Sequence, residues 1–236
     1  MIVSWFSCGA SSAVATMLAI RKHGNIKICY THIDDQHPDT LRFLKDCQDW
    51  FGIVIDIDYG IVRSVNDACL KAGFVNSPFG APCTRILKRD VRKKWERENK
   101  GRHTYIWGFD LNEKDRADRV VENMPEHDHE FPLIENYYDK KMTHGLLEHA
   151  GIKRPIMYDL GYPNNNCIGC VKGGMGYWNK IRQDFPEVFE QRCKLEEITG
   201  GKIFKEFNLR ELDETRGNLQ DIIVPDCGIF CEINKV

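Results

Sequence analysis

The chain has 236 residues, 42% hydrophobic and 29% charged, with a formal net charge of -2. That length can bury a substantial core, and the near-neutral charge argues against a globally basic nucleic-acid surface. No apolar run is long enough to cross a bilayer, and the N-terminus carries neither a basic leader nor a cleavage site, so the expectation is a cytoplasmic protein with no membrane partner.

Residues 2–6, IVSWF, read as a first strand, followed by a helix over 12–24 with Ser12 as N-cap and Gly24 as its stop. Residues 26–33 form a second strand rich in β-branched residues. A helix over 37–52 shows Leu41, Leu44, Trp50 and Phe51 at helical spacing and ends at Gly52. Residues 53–59 read as a third strand, and a helical pattern resumes after PFGAPC, with Thr84 near its start. Residues 103–109 and 130–134 give a fourth and a short fifth strand. Beyond residue 140 the pattern turns helical and loop-rich, with one further strand signal at 221–225.

Strands alternating with helices imply right-handed crossovers and a mostly parallel five-stranded α/β sheet with helices on both faces. The expected organisation is an α/β nucleotide-binding domain over 1–140 with a helical, cysteine-bearing region over 141–236 packed on it. Ligands of such sheets sit at the carboxyl ends of the strands, where four loops leave: Ser7–Ser12, Asp34–Asp39, Gly60 onward and Gly108–Arg119.

The first of these loops, Ser7-Cys8-Gly9-Ala10-Ser11-Ser12, brings small hydroxyl residues and a glycine to a helix N-terminus. Free N–H groups and the helix dipole there favour an anion, although a tight strand–helix turn also requires small residues. Neither G-x-G-x-x-G nor G-x-x-x-x-G-K-[ST] is present. Basic residues cluster in 85–102, either as a solvated helix face offset by Asp90, Glu96 and Glu98 or as an anion-binding face.

Ten cysteines suit thiolate–metal or redox chemistry better than a disulfide framework in a reducing compartment. Cys29, Cys47, Cys69 and Cys193 fall in strand or helix patterns and read as core. Cys8, Cys83, Cys167, Cys170, Cys227 and Cys231 fall in loop-like settings. Cys167-Ile168-Gly169-Cys170 is a C-x-x-C knuckle in a Gly/Asn-rich loop, a spacing at which two thiolates can bind one metal or cluster. The aromatic stripe Tyr177, Trp178, Ile181 and Phe185 reads as core.

Together the loop and HIDDQHPDT resemble the pyrophosphate-loop ATPase and phosphoadenosine phosphosulfate (PAPS) reductase superfamily, also called adenine nucleotide α-hydrolase-like. Ser7–Ser12 corresponds to its S-G-G-x-D-S loop and Asp34–Thr40 to its D-T-G-x-x-F-P-E-T motif. Pro155, Tyr158, Gly161, Tyr162, Cys167 and Cys170 match P-x-Y-x-x-G-Y-x-x-x-G-C-x-x-C, and DCGIF resembles the E-C-G-I-H segment of the reductases.

The resemblance implies an enzyme of sulfur metabolism that binds an adenine nucleotide, whether ATP, PAPS or adenylyl sulfate. Ser7, Gly9, Ser11, Ser12, Asp34, Asp35, Gly108 and Arg116 would hold the nucleotide, supported by Arg85, Lys88 and Lys172. Cys227 would be the nucleophile, and Cys83, Cys167 and Cys170 would hold a 4Fe-4S cluster, with zinc as the alternative metal. Partners would be the nucleotide and a thiol reductant or sulfur donor, with nucleic acid and oligomer formation left open. The chain departs from the pattern at Asp110, where the reductases carry arginine, at Thr84 in place of a second cluster cysteine, and at Phe230 in place of histidine. These departures leave three readings open: sulfonucleotide reduction through Cys227, ATP-dependent sulfur transfer on an iron–sulfur centre, and a non-catalytic nucleotide-binding module.

Overall fold

β-branched and aromatic residues in short runs suit strands that are covered on both sides, and five such runs pair here into one sheet. The computed structural model describes residues 1–77 and 80–218. Cys227, Cys231 and the strand expected at 221–225 lie outside the described residues.

In chain order the elements are β1 (Ile2–Trp5), α1 (Ala10–His23), β2 (Lys27–Thr31), α2 (Asp39–Phe51), β3 (Ile55–Asp58), α3 (Val65–Ala72) and α4 (Pro82–Thr84). A π-helical turn (Arg85–Arg89) leads into α5 (Asp90–Glu98), β4 (Thr104–Ile106), a 3-10 turn (Leu111–Glu113), α6 (Lys114–Asn123) and β5 (Asp128–Glu130). Then come α7 (Pro132–Glu135), α8 (Lys140–His149), α9 (Ile156–Asp159), α10 (Met175–Asp184), α11 (Pro186–Thr199) and a second 3-10 turn (Leu209–Glu211). The fifth strand precedes its expected place at 130–134. Pro132 lacks an N–H for the ladder and opens a helix instead.

All pairings are parallel and the strand order is β3-β2-β1-β4-β5. The order reverses direction between β1 and β4, which makes that pair the topological switch point. Period-two alternation sends β1 side chains to opposite faces. On one face Phe6 joins Ile28, Tyr30 and Ile106 in a core with Val14 of α1, Phe43 and Phe51 of α2 and Leu147 of α8. On the other, Trp5 meets Trp95 of α5 edge-on at 5.4 Å, and Tyr105 donates to Glu96 at 2.8 Å. The expectation of an α/β fold with a five-stranded parallel sheet and helices on both faces therefore holds.

The chain divides into two compact units that interleave along the sequence. The first, 1–31, 38–58 and 94–160, contains the whole sheet with α1, α2 and α6–α9. The second, 32–37, 59–93 and 161–236, contains α3, α4, the π-helical turn, α10 and α11. Helices α8 and α9, which lie beyond residue 140, belong to the first unit, and the segments leaving β2 and β3 pass into the second. Within the second unit Trp178 of α10 packs edge-on against Phe189 of α11 at 6.2 Å.

Cys29, Cys47, Cys69 and Cys193 are buried, as their patterns predict. Burial is the main cause that pushes their thiols up, to about 12 for Cys29, to about 11 for Cys69 and Cys193, and further for Cys47. Among the described residues no helix is long and apolar enough to cross a membrane. Phe43 has 0% exposure in the first core, so Phe43→Ala removes a filled volume that the parallel sheet has little freedom to close. The expected loss is about 3–5 kcal/mol of unfolding free energy, read from urea denaturation.

Candidate functional site

In the first unit β1 runs into α1 through a tight turn. Cys8 adopts φ 57°, a conformation costly for a side chain, and Gly9 caps α1 without a side-chain hydrogen bond. The helix starts at Ala10, so Ser12 is not the N-cap that the sequence suggests. It lies in the first turn, and its hydroxyl reaches back to the cap.

That hydroxyl collects donors. Ser12 Oγ accepts from Ser7 N at 3.3 Å, Ser7 Oγ at 3.0 Å and Gly9 N at 3.2 Å, and donates to Gly9 O at 3.0 Å. Three donors converge on an oxygen with two lone pairs, more than it can serve at full strength. Beside it Ala10 N donates to the Tyr158 hydroxyl at 3.1 Å. Ser11 Oγ is buried with no hydrogen-bond partner among the described residues, and the residue is 7% exposed. The first turn of α1 holds no acidic residue. An orphaned hydroxyl, surplus donors and the positive end of a 14-residue helix make this turn suited to an anion.

Gly108, after β4, completes the cradle. A Cβ on it would stand 2.5 Å from Ser12 Cα, an approach that only glycine permits. Ser7, Gly9, Ser11, Ser12 and Gly108 are thus brought together at the switch point. Further along the β4 loop, Asp110 caps the 3-10 turn by accepting from Asn112 N at 2.9 Å. Arg116 is ion-paired with Glu113 and lies over the Phe109 ring at 4.4 Å. Its guanidinium is held within its own loop.

Cys8 is fully buried, and burial together with the neighbouring Cys47 raises its thiol well above the ordinary range, against a lowering hydrogen bond with Tyr30. The thiolate is the reactive form, so this environment makes Cys8 a poor nucleophile.

In the second unit Asp34 pairs with Arg63 at 2.7 Å and is half exposed. Asp35 accepts from Val65 N, the first residue of α3, at 2.6 Å, and its other oxygen pairs with Arg192 of α11. Its backbone carbonyl accepts from Ile168 N at 2.8 Å, which joins Asp35 to the C-x-x-C knuckle.

Cys167 and Cys170 are buried, and Gly169 between them has φ 69°. The Tyr177 hydroxyl accepts from Cys170 N at 2.8 Å and donates to Cys167 O at 3.3 Å. Of the expected core stripe Tyr177, Trp178 and Ile181 are buried and Phe185 is only partly so, and Tyr177 also clasps the knuckle. Cys83 lies on α4 and is partly exposed, Arg85 and Lys88 lie on the π-helical turn that follows, and Lys172 comes two residues after Cys170. A C-x-x-C pair offers soft donors for one edge of a thiophilic site. Among the described residues, however, no three His, Cys, Asp or Glu side chains gather as metal ligands. The described residues do not close a cluster site. The proposed nucleophile, Cys227, lies outside them.

Sequence reasoning passed over Tyr158, Tyr177 and Arg192 as functional groups. For Arg192 a signal exists: it is a lone cation among Phe189, Cys193, Leu195 and Glu196 on the buried stripe of α11.

No family model matches the chain, and no curated protein does. Among solved structures it is similar to the phosphoadenylyl-sulfate (PAPS) reductase from Candida auris in phosphate complex, with TM-score 0.47 and 15% identity over 68% of this chain and 78% of that one. It is also similar to the U34-tRNA thiolase NcsA from Methanococcus maripaludis with its 4Fe-4S cluster, with TM-score 0.43 and 12% identity over 84% of this chain and 71% of that one. At these scores neither likeness bears on the activity of this chain.

Two outcomes follow from the geometry. Gly108→Ala must displace the first turn of α1, and the protein is expected to lose anion binding by at least about tenfold while remaining folded, as read by phosphate titration and circular dichroism. At pH 8 iodoacetamide should leave Cys8 unmodified in the native protein and modify it after unfolding, as mass spectrometry of the peptide containing it would show.

Proposed function

We propose that the chain is an enzyme that binds an adenine nucleotide by its phosphates at Ser7–Ser12 and performs sulfur chemistry with cysteine thiols, of the PAPS-reductase kind. The observation that carries the reading is the first turn of α1. There the surplus donors around Ser12 and the orphaned Ser11 hydroxyl form an anion cradle sealed by Gly108. Arg116 would act on the nucleotide by way of its loop, since its side chain already pairs with Glu113.

The reaction supported best is thiol-dependent reduction of a sulfonucleotide, PAPS or adenylyl sulfate. The Cys227 thiolate would attack the sulfate sulfur, forming an S–S bond and breaking the sulfur–oxygen bond to the nucleotide phosphate, which leaves as the nucleoside phosphate. An external thiolate would then attack the cysteine sulfur of the resulting thiosulfonate, releasing sulfite and leaving a mixed disulfide that a second thiol resolves. The loop's contribution is to bind and orient the phosphate so that its leaving oxygen meets backbone and hydroxyl donors.

A second reading, ATP-dependent sulfur transfer with formation of AMP and pyrophosphate, is favoured by the clasped Cys167–Cys170 pair. That pair would supply two soft ligands of a cluster or zinc, with the remaining ligands coming from outside the described residues. When bound, the cluster would supply a soft site for sulfide.

The test has two arms. PAPS, adenylyl sulfate or ATP at 100-fold over its dissociation constant should stabilise the protein by about 2.7 kcal/mol, seen as a raised Tm, whereas adenosine should not. An equal shift with adenosine would sink the phosphate assignment. Sulfite release from a sulfonucleotide should vanish in Cys227→Ser with nucleotide stabilisation intact. Pyrophosphate release from ATP without sulfite would select the second reading.

A further inference from the structure

Arg192 is a buried cation of the second unit, with 0% exposure. Its Nε donates to Gly169 O at 3.1 Å and its Nη2 to Ile168 O at 3.4 Å, so it holds both carbonyls of the dipeptide between Cys167 and Cys170. Nη1 donates to Asn66 Oδ1 at 2.6 Å, and Nη2 is also paired with Asp35. One planar fork therefore touches the knuckle, α3 and the segment after β2, a set of directions that a lysine ammonium could not serve together.

Other main-chain groups of the knuckle are fixed as well. Tyr177 takes the Cys170 amide and gives its proton to the Cys167 carbonyl, and Ile168 N is bound by Asp35 O. Gly169 has no room for a side chain, because a Cβ would stand 2.6 Å from Val188 Cγ1. The backbone between the two thiols is thus immobilised at both inner carbonyls and at two of its amides. A buried ion pair gives little net stability compared with apolar groups of the same size, so stability alone does not account for a guanidinium at this place. What it supplies is direction.

We infer that Arg192 is the positioning residue of the Cys167–Cys170 pair. It holds the turn that sets where the two thiols stand, and through Asp35 it ties that turn to the segment leaving β2. The inference deepens the second reading of the proposed function by naming the residue that orders the thiol pair on which that reading rests. Its test uses neither nucleotide nor metal, so it can fail or succeed separately from that function.

The experiment is iodoacetamide footprinting of the reduced full chain, quantified for each cysteine by mass spectrometry. Cys193 of α11 and Cys47 of α2 serve as internal reporters of packing. The variant is Asp35→Asn/Arg192→Met, which removes both charges of the ion pair together and keeps an acceptor for Val65 N. Cys167 and Cys170 should label at least about tenfold faster than in the wild type, with Cys193 and Cys47 still protected, since only local opening has become easier. Arg192→Lys, which retains the charge without the fork, should give an intermediate rate at the same two cysteines and thus partly rescue protection. Wild-type protection of Cys167 and Cys170 in both variants would overturn the inference. So would labelling of Cys193 in step with them, which would mean that Arg192 merely docks α11. Should the double variant not fold, Arg192→Lys alone decides between the same outcomes.

Discussion

The contact on which the first unit depends is the approach of Gly108 to the backbone of Ser12. Two parallel strands that part at a switch point leave a crevice, and what fills the crevice decides whether it can take a ligand. Here a glycine on the β4 side lets the first turn of α1 come up against the sheet edge. That proximity confines Ser7, Gly9, Ser11 and Ser12 to a few ångströms, where their donors crowd one hydroxyl oxygen. Any larger residue at 108 would separate the two loops. The strained backbone of Cys8 belongs to the same constraint, because the chain must reverse within three residues to bring Ser7 and Ser12 together.

The second unit applies a different device to a similar problem. Among the described residues that unit contains no strand, and Gly169 gives the knuckle a backbone freedom that would leave its thiols unplaced. Polar groups supply the missing order: Arg192, Asp35 and Tyr177, each bonded to main chain. Asp35 is the economical element, with one carboxylate oxygen capping α3, the other neutralising Arg192, and its own carbonyl holding Ile168 N. A polar network this well satisfied specifies one arrangement, because every alternative leaves a buried donor or acceptor without a partner.

Much of this was legible along the chain. Alternating strand and helix patterns foretold the parallel sheet, and Gly24 and Gly52 do stop their helices. The run of small hydroxyl residues at Ser7–Ser12 was legible as a tight strand–helix turn, and Cys29, Cys47, Cys69 and Cys193 were legible as buried from the period of their neighbours, whereas the burial of Cys8 was not. The start of α1 was misplaced because Ser12 has the composition of a cap while Gly9 has the conformation of one. The fifth strand was shifted because apolar content in 130–134 was read without the penalty that Pro132 imposes on a ladder.

Sequence by itself determined the class of fold and the chemistry available at each loop, since hydrophobic period and residue type are local properties that every short window carries. Tertiary structure alone decided which groups are engaged. It committed Asp35 and Arg116 to ion pairs, left the Ser11 hydroxyl without a hydrogen-bond partner among the described residues, and set a buried arginine 25 residues after Cys167 (192 minus 167) against the carbonyls beside it. Such pairings join residues far apart in the chain, and their energy depends on distance and burial, which no local pattern encodes.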